Sequence, residues 1–342
     1  MSRRHTARVA FIATAVAVAA CSDSGSLPTS APAVGPNASV SSDDGSAPSD
    51  NPHKNVHGIR PTQLEAYHNA GKPGGGGTGI LYHGGPVLQS GTKVAAIYWA
   101  ASTIYPGGPT PGTTGSGAQD GSLIGTFMRG LGGSPYFNIN STYTDGAGRA
   151  IVNSVSYTQF YANNTGVPSN GQSVSDAQIV SMLQAAFNSG ALTFDASTLY
   201  NVFTAGTVNL GGGFGTQYCA YHTHGTVTIG GVARTVLYSA MPYDNAYPSA
   251  CTAGLGSANG DPGADAEVNT LGHEIEETTT DMMGNAWYDR RGYENADKCA
   301  WTWGTTYKAA NGATVNMKIG GKDFLVQQNW INSGSGGCRL SA

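Results

Sequence analysis

Charged side chains are scarce in this sequence. Lys and Arg number 17 and Asp and Glu 21 in 342 residues, or 11%, against roughly 25% in an ordinary soluble domain. The net charge of −4 excludes a nucleic-acid partner, which requires a basic face. After residue 20 no apolar run approaches the ~20 residues of a membrane span. The sequence also lacks the GxSxG turn, the P-loop and any CxxC pair, which excludes the enzymes and zinc knots that those motifs mark.

The first 21 residues have the pattern of a targeting segment. Three arginines in the first eight positions precede the apolar run Val9–Ala20, which is too short to span a bilayer. The run ends in Val-Ala-Ala-Cys, which resembles the lipobox of bacterial lipoproteins. We therefore predict a signal peptide over residues 1–21, lipidation of Cys21, and a secreted or cell-surface protein held by a lipid anchor. An ordinary signal peptide followed by a chance cysteine is the alternative.

Aromatic residues are missing between Phe11 and Tyr67, and Ser, Pro, Ala and Gly dominate this stretch. Such a composition cannot bury enough apolar surface to offset the entropy lost on ordering. Residues 22–76 are therefore predicted to be a disordered linker, and residues 77–342 a single folded domain.

Within the domain, strands and helices are mixed without a regular βαβ period, which favours an α+β fold with a mixed sheet. The clearest helix has a capping box of Ser175 and Gln178 and a terminating Gly190. Apolar periodicity predicts the other elements: helices at Ser122–Leu131 and Ala264–Asp281, strands at Lys93–Trp99, Ile151–Tyr161, Leu199–Ala205, Thr226–Ile229 and Thr235–Met241, and a loop at Pro106–Gly117.

Besides Cys21 the chain has four cysteines, at positions 219, 251, 299 and 338. An even number in an oxidising compartment indicates two disulfides, with three pairings to choose from. We favour Cys219 with Cys251 and Cys299 with Cys338, which close loops of about 30 and about 40 residues.

The centre of the helix Ala264–Asp281 reads HEIEE from His273 to Glu277. These two residues are four apart, so their side chains lie on one helix face, and both are zinc-ligand types. Glu274 lies beside them and could take a proton from water. The spacing copies the HExxH helix of zincin metallopeptidases with Glu for the second His, and it also admits other divalent ions. A solvated acidic helix is the alternative.

Six of the 21 acidic residues fall on this one helix, which favours a bound cation. Zincins of the Glu type take a third ligand from a later element, and Glu294 is the candidate here, with Asp297 to orient a His. Asp281, Asp297 and His222 are further ligand candidates. Tyr288 is a candidate hydrogen-bond donor to an oxyanion, although core packing would also explain it.

Longer segments resemble the exordium family, also called phosphate-induced protein 1. GHEIEETTTDMMGNAWYD is similar to the family's AHEIAE…TNPxxNAWY, and ENADKC from Glu294 is similar to its ExxDxC element. Further similarities run in the same order over roughly residues 80–340: Tyr82–Leu88, Cys219–His222, Asn311–Met317, Phe324–Gln327, Trp330 and Cys338. Asp281 departs from the pattern, because the plant sequences have Asn there.

The resemblance implies a secreted protein of a family linked in plants to growth and the extracellular matrix, and it brings no established catalytic activity. We expect a zincin-like domain in which His273, Glu277 and Glu294 bind zinc and Glu274 activates water to hydrolyse an extracellular peptide or a cell-envelope polymer. The alternative is a non-catalytic binding protein with a structural or vestigial metal site.

Overall fold

A six-stranded mixed sheet organises the part of the chain that the computed structural model describes, residues 79–211 and 213–342. The predicted signal peptide, Cys21 and the linker at 22–76 lie outside the described residues. The described helices are α1 Leu123–Leu131, α2 Asp176–Ser189, α3 Pro248–Cys251 and α4 Pro262–Thr280, with 3₁₀ turns at Gly117–Gln119, Phe137–Thr142, Asp244–Ala246 and Asp297–Cys299.

The strands of the described residues are numbered in chain order. They are β1 Leu81–Tyr82, β2 Thr92–Trp99, β3 Thr114–Ser116, β4 Val155–Tyr161, β5 Thr198–Thr204, β6 Tyr221–Ile229, β7 Val232–Met241, β8 Trp287–Tyr288, β9 Tyr307–Lys308, β10 Thr314–Val315, β11 Met317–Ile319, β12 Lys322–Phe324, β13 Asn329–Ile331 and β14 Gly337–Arg339.

The main sheet has the order β3-β4-β2-β5-β7-β6. The four central strands β4, β2, β5 and β7 run parallel, and the edge strands β3 and β6 are antiparallel to their neighbours. The α+β class with a mixed sheet is thus confirmed. The parallel centre was not predicted, because the helices that make its crossovers are unevenly spaced along the sequence.

Both faces of the sheet are covered. Along β2, Val94, Ala96 and Tyr98 enter the core that α1 and α4 close, while Ala95 and Ile97 enter the core beneath α2. A strand buried on both faces reads as a continuous apolar run rather than an alternating one, which explains the sequence KVAAIYW. The site-bearing helix α4 lies on the first of these faces.

Local rules account for the helix ends. The Ser175 hydroxyl accepts from the Gln178 amide, the Gln178 side chain accepts from the Ser175 amide, and Gly190 ends α2 with a left-handed φ of 74°, as the capping box predicted. In α4, Asp261 caps the first turn and Pro262 occupies the first helical position.

Several predicted boundaries were wrong, and β6 and β7 begin at Tyr221 and Val232 rather than at Thr226 and Thr235. The strand predicted from Ile151 begins only at Val155, because Asn153 is held out of the ladder by hydrogen bonds to Gly133 and Ser134. The segment predicted as a loop at Pro106–Gly117 contains the edge strand β3. Its three residues carry too little apolar periodicity to be recognised.

The two disulfides of the domain have the pairing that we favoured from the sequence. Cys219 bonds to Cys251 and Cys299 bonds to Cys338, with sequence separations of 32 and 39 residues. The first ties the residues before β6 to α3. The second ties β14 to the 3₁₀ turn at Asp297–Cys299.

Replacing both Cys299 and Cys338 by Ser should lower the free energy of unfolding by roughly 4 kcal/mol. A cross-link over 39 residues removes about this much chain entropy from the unfolded state. Urea unfolding of the double variant and the wild type measures the difference. Peptide mapping that finds free thiols at these positions in the wild type would contradict the bond itself.

Candidate metal centre

Helix α4 carries most of the predicted site and is buried almost all round. His273, Glu274 and Glu277 lie in its last two turns, and each is at most 4% exposed. Gly272 permits this burial, because a Cβ there would lie 3.3 Å from the Phe127 ring on α1. Buried charges need a partner or a metal ion, so the helix cannot be the solvated acidic helix that was the alternative.

The first group of metal-ligand atoms joins α4 to the 3₁₀ turn at Asp297–Cys299. The His273 Nε2 atom lies 3.1 Å from Glu277 Oε1 and 3.4 Å from Asp297 Oδ1. Glu277 Oε1 also accepts the Asp297 amide at 2.9 Å. The structure therefore brings Asp297 to His273 as the third residue of this group.

Gln327 orients the His273 ring, a role that sequence reasoning missed. Its Oε1 lies 3.3 Å from His273 Nδ1, and its Nε2 donates to the Ala296 carbonyl at 2.8 Å. A donor hydrogen on Nδ1 leaves Nε2 as the ligand atom, which is the usual arrangement behind a metal-bound His. The only sequence signal was the position of Gln327 in the family-like segment FLVQ.

A second group forms around His222 on the edge strand β6. Its Nδ1 atom lies 3.1 Å from Glu274 Oε2 and 3.6 Å from Glu277 Oε2, and the ring is 2% exposed. Its neighbour Tyr221 points into the core beneath α2, so strand alternation aims His222 at α4. His222 thus contacts two of the predicted site residues, although the sequence indicated it only as a further candidate ligand.

Glu294 and Asp281 lie on the His222 side of the cluster. Glu294 Oε2 is 3.7 Å from His222 Nε2, so Glu294 is brought to His222 and Asp297 takes the place beside His273. Asp281 ends α4, where its Oδ1 accepts the Asn285 and Ala286 amides at 2.6 and 2.8 Å. Both acids are buried.

Tyr288 and Glu276 face elsewhere. Tyr288 lies in β8, where its ring stacks on His83 with centroids 3.7 Å apart, so the contacts of this ring do not place it beside the ligand groups. The Glu276 carboxylate accepts from Asn140 Nδ2 at 2.5 Å. Glu276 is therefore a buried acid on the same helix, but its hydrogen-bond partner is Asn140 and not a residue of the ligand groups.

The electrostatics of the cluster are those of crowded, buried acids. Burial raises the pKa of Glu274, with His222 partly opposing it, and burial together with the charges of Glu277 and Asp281 raises the pKa of Glu294 well above its usual range. Burial alone would lower the pKa of His273, but Glu277 and Asp297 raise it well above its ordinary value. Protons, or cations that replace them, must offset this negative charge.

The separations fit metal coordination. Ligand atoms that each lie 2.0–2.2 Å from one zinc ion are spaced roughly 3.0–3.5 Å from one another. The distances of 3.1 and 3.4 Å around His273 fall in this range, and the 3.1 Å between His222 and Glu274 does too. Imidazole and carboxylate donors suit zinc, and a carboxylate-rich set also suits manganese.

A small pocket borders one residue of the first group, His273. His273 and Glu274 contribute to its wall together with Asn269, Trp301 and Gln327. Asn269 and Trp301 also line a larger neighbouring groove along α4. Trp301 has a left-handed φ of 60°, a strained conformation that other contacts must hold in place. The pocket at His273 and Glu274 has a volume of about 20 Å³, which is room for about one water molecule, and the neighbouring groove measures about 330 Å³.

A separate acid pair lies nearer the start of α4. Glu267 and Asp244 are both fully buried, and the Asp244 amide donates to Glu267 Oε2 at 3.1 Å. Thr270 donates its hydroxyl to Asp244. Burial raises the pKa of both carboxyls well above the usual range, and the charge of Asp244 adds to the effect on Glu267.

Glu267→Gln should become more stable relative to the wild type as the pH rises from about 4 towards 8. A carboxyl whose pKa is raised on folding stabilises the fold below its unfolded pKa, near 4.3, and that contribution is lost as the pH rises through the folded pKa. Glutamine keeps the acceptor and has no proton to lose. Urea unfolding of both proteins across this range measures the difference, and a constant difference would show that Glu267 does not cause it.

Comparison with known proteins places these residues in a family. The conserved region of phosphate-induced protein 1 matches residues 133–330, a span that contains both ligand groups. Protein EXORDIUM-like 5 of Arabidopsis thaliana is 25% identical over 287 residues, covering 73% of this chain and 75% of the relative. Protein EXORDIUM-like 3 of the same plant is 28% identical over 288 residues, covering 73% and 80%.

No solved structure matches the chain. Among the described residues no helix is both long and apolar enough to cross a bilayer. The match to the conserved region covers more than half of the chain, and the two relatives cover nearly three quarters of it. The chain therefore belongs to the phosphate-induced protein 1 family, as its resemblance to exordium sequences indicated.

Proposed function

We propose that this protein is a zincin-like, metal-dependent hydrolase that cleaves an extracellular peptide or a cell-envelope polymer. The observation that supports it is the buried group of His273, Glu277 and Asp297, of which His273 lies in the wall of a small pocket together with Glu274. Catalytic zinc sites keep one position for water, whereas structural zinc sites are closed, and the pocket of about 20 Å³ beside His273 has room for one water molecule.

The residues of the site would have different roles in this reaction. His273, Glu277 and Asp297 would hold a divalent ion, zinc by preference, and Gln327 fixes the ring of His273. When bound, such an ion supplies a Lewis acid to the reacting carbonyl. Glu274 lines the same pocket and accepts the proton of the attacking water. His222 holds the Glu274 carboxylate at 3.1 Å, which fixes its direction.

The zincin-like interpretation of the fold belongs to the same proposal. The ligand helix α4 packs beneath a mixed sheet, and the antiparallel edge strand β6 lies nearest the site, since it carries His222. The third ligand would come from a separate turn after the helix, and Asp297, 3.4 Å from His273, would take the place that we expected for Glu294.

The alternative is a non-catalytic binding protein with a structural ion. Deep burial supports it, because His273 is only 4% exposed and Asp297 1%. The two functions differ in one measurable property. A structural ion would stabilise the fold without any hydrolytic activity, whereas a catalytic ion provides both.

Metal analysis of the purified protein, followed by assays on peptide, ester and glycan panels, tests the proposal. We expect bound zinc or a similar ion, and a hydrolysis that chelators abolish and added metal restores. Bound metal with no hydrolysis of any substrate class by the wild type would favour the binding protein. A protein without metal, indifferent to chelators, would overturn both functions.

The location that this function requires is also a proposal. The Val-Ala-Ala-Cys sequence before residue 22 would place the protein outside the cytoplasm on a lipid anchor. Cys21→Ser should abolish labelling by a radioactive fatty acid in a bacterial host and move the protein from the detergent to the aqueous phase. Unchanged labelling and partitioning in the variant would remove the lipid anchor.

A further inference from the structure

Glu277 directs its two carboxylate oxygens at two different histidines. Oε1 lies 3.1 Å from His273 Nε2, and Oε2 lies 3.6 Å from His222 Nδ1. A carboxylate in this position can bind one cation through each oxygen. We infer that the site holds two divalent ions, one at the His273 group and one at the His222 group, with Glu277 bridging them.

The second position has a ligand set of its own. His222 Nδ1, Glu274 Oε2 and Glu277 Oε2 come together from β6 and two turns of α4, within 4.8 Å of one another. The 3.1 Å between His222 and Glu274 equals the spacing of His273 and Glu277 in the first group. Glu294 lies behind His222, with its Oε2 3.7 Å from the ring Nε2, so its negative charge faces the side of the ring opposite Nδ1.

The cluster has enough carboxylates to balance the charge of two divalent ions. Five carboxylates are buried around the two histidines, those of Glu274, Glu277, Asp281, Glu294 and Asp297, each at most 2% exposed. With all five carboxylates ionised and both imidazoles neutral, one divalent ion would leave a net charge of about −3 in this low-dielectric space and two would leave about −1, so a second ion would replace protons that the carboxyls otherwise bind. The Nζ atom of the neighbouring Lys298 pairs with Asp289 at 3.1 Å.

Asp281 gives an independent observation on the same side. Its Oδ2 atom is fully buried and has no hydrogen-bond partner among the described residues, although Oδ1 accepts two amides. Its carboxylate interacts electrostatically with the side chains of His222 and Glu277. A buried acceptor left in this way costs free energy, and a cation at the second position would offset that cost.

The second ion, which rests on the metal centre of the proposed function, changes how Glu274 acts. One oxygen of Glu274 would bind the second ion and the other would remain to accept a proton. Two-ion hydrolases hold their ions roughly 3.5–4 Å apart, so that both act on the same reacting group. The site would then belong to the two-ion class of hydrolases, although its helix spacing resembles a one-ion zincin.

Metal stoichiometry tests the inference without any activity assay. The wild type, dialysed against zinc, should hold about two ions per chain, and His222→Ala and His273→Ala about one each. His224→Ala is the matched control, since it changes the other histidine of β6, and it should keep two. One ion in the wild type, retained in His222→Ala, would overturn the inference.

Manganese provides a second measurement on the wild type alone, in case His222→Ala does not fold. Two Mn²⁺ ions that share Glu277 should give an exchange-coupled electron paramagnetic resonance spectrum. Only the six-line spectrum of isolated ions at saturating manganese would overturn the bridge. Two coupled ions without hydrolysis would end the proposed function and leave this inference standing, whereas hydrolysis with a single ion would do the reverse.

Discussion

Glu274→Gln should lower hydrolysis by roughly 10²- to 10⁴-fold, the contribution of a general base, while the protein keeps the ion of the His273 group. Glutamine has the shape of glutamate and still accepts a hydrogen bond, but it does not take up a proton. Glu274 is not among the residues of the first ligand group, so that ion should survive. Single-turnover rates and metal content on the same preparation measure both effects.

Glu276→Gln is the matched control. It makes the same chemical change two residues along α4, at a carboxylate that is equally buried but accepts from Asn140. Its hydrolysis rate should stay within a few fold of the wild type. Equal losses in both variants would mean that the helix is merely disturbed, and an undiminished rate in Glu274→Gln would show that another group accepts the proton.

The site residues that lie on one helix could be predicted from the sequence, because helix geometry determines which of their side chains are neighbours. His273 and Glu277 are one helical turn apart, so the helix alone brings them together. The ends of α2 followed in the same way from Ser175 and Gln178. The disulfides were also predicted correctly, since four cysteines left only three pairings.

The remaining residues depend on long-range register, which the sequence does not reveal. His222 is 52 residues from Glu274, and it reaches α4 only because β6 pairs with β7 in a register that places it opposite Ser239. The choice between Glu294 and Asp297 depends on the rotation of one 3₁₀ turn, which the Cys299–Cys338 disulfide anchors. Either acid satisfied the spacing, and only the fold separates them.

Removing the metal should lower the melting temperature of the wild type substantially. An ion that binds only the native state stabilises it by about 4 kcal/mol when free metal is 1,000 times its Kd. For a domain of this size that corresponds to a fall in Tm of roughly 10 °C. The cause is the cluster of carboxylates, since without cations the fold must bury them protonated or unpaired.

His273→Ala separates this linkage from ordinary damage to the core. The variant also loses packing at a residue only 4% exposed, so its Tm alone does not identify the cause. The informative quantity is the change in Tm on adding chelator, which should be large in the wild type and smaller in the variant, since the variant keeps at most the ion of the His222 group. His83→Ala, which changes a histidine stacked on Tyr288, should respond to chelator as the wild type does. A wild-type Tm that chelators leave unchanged would mean that no ion stabilises this fold, and the buried acids of α4 would then be held by protons alone.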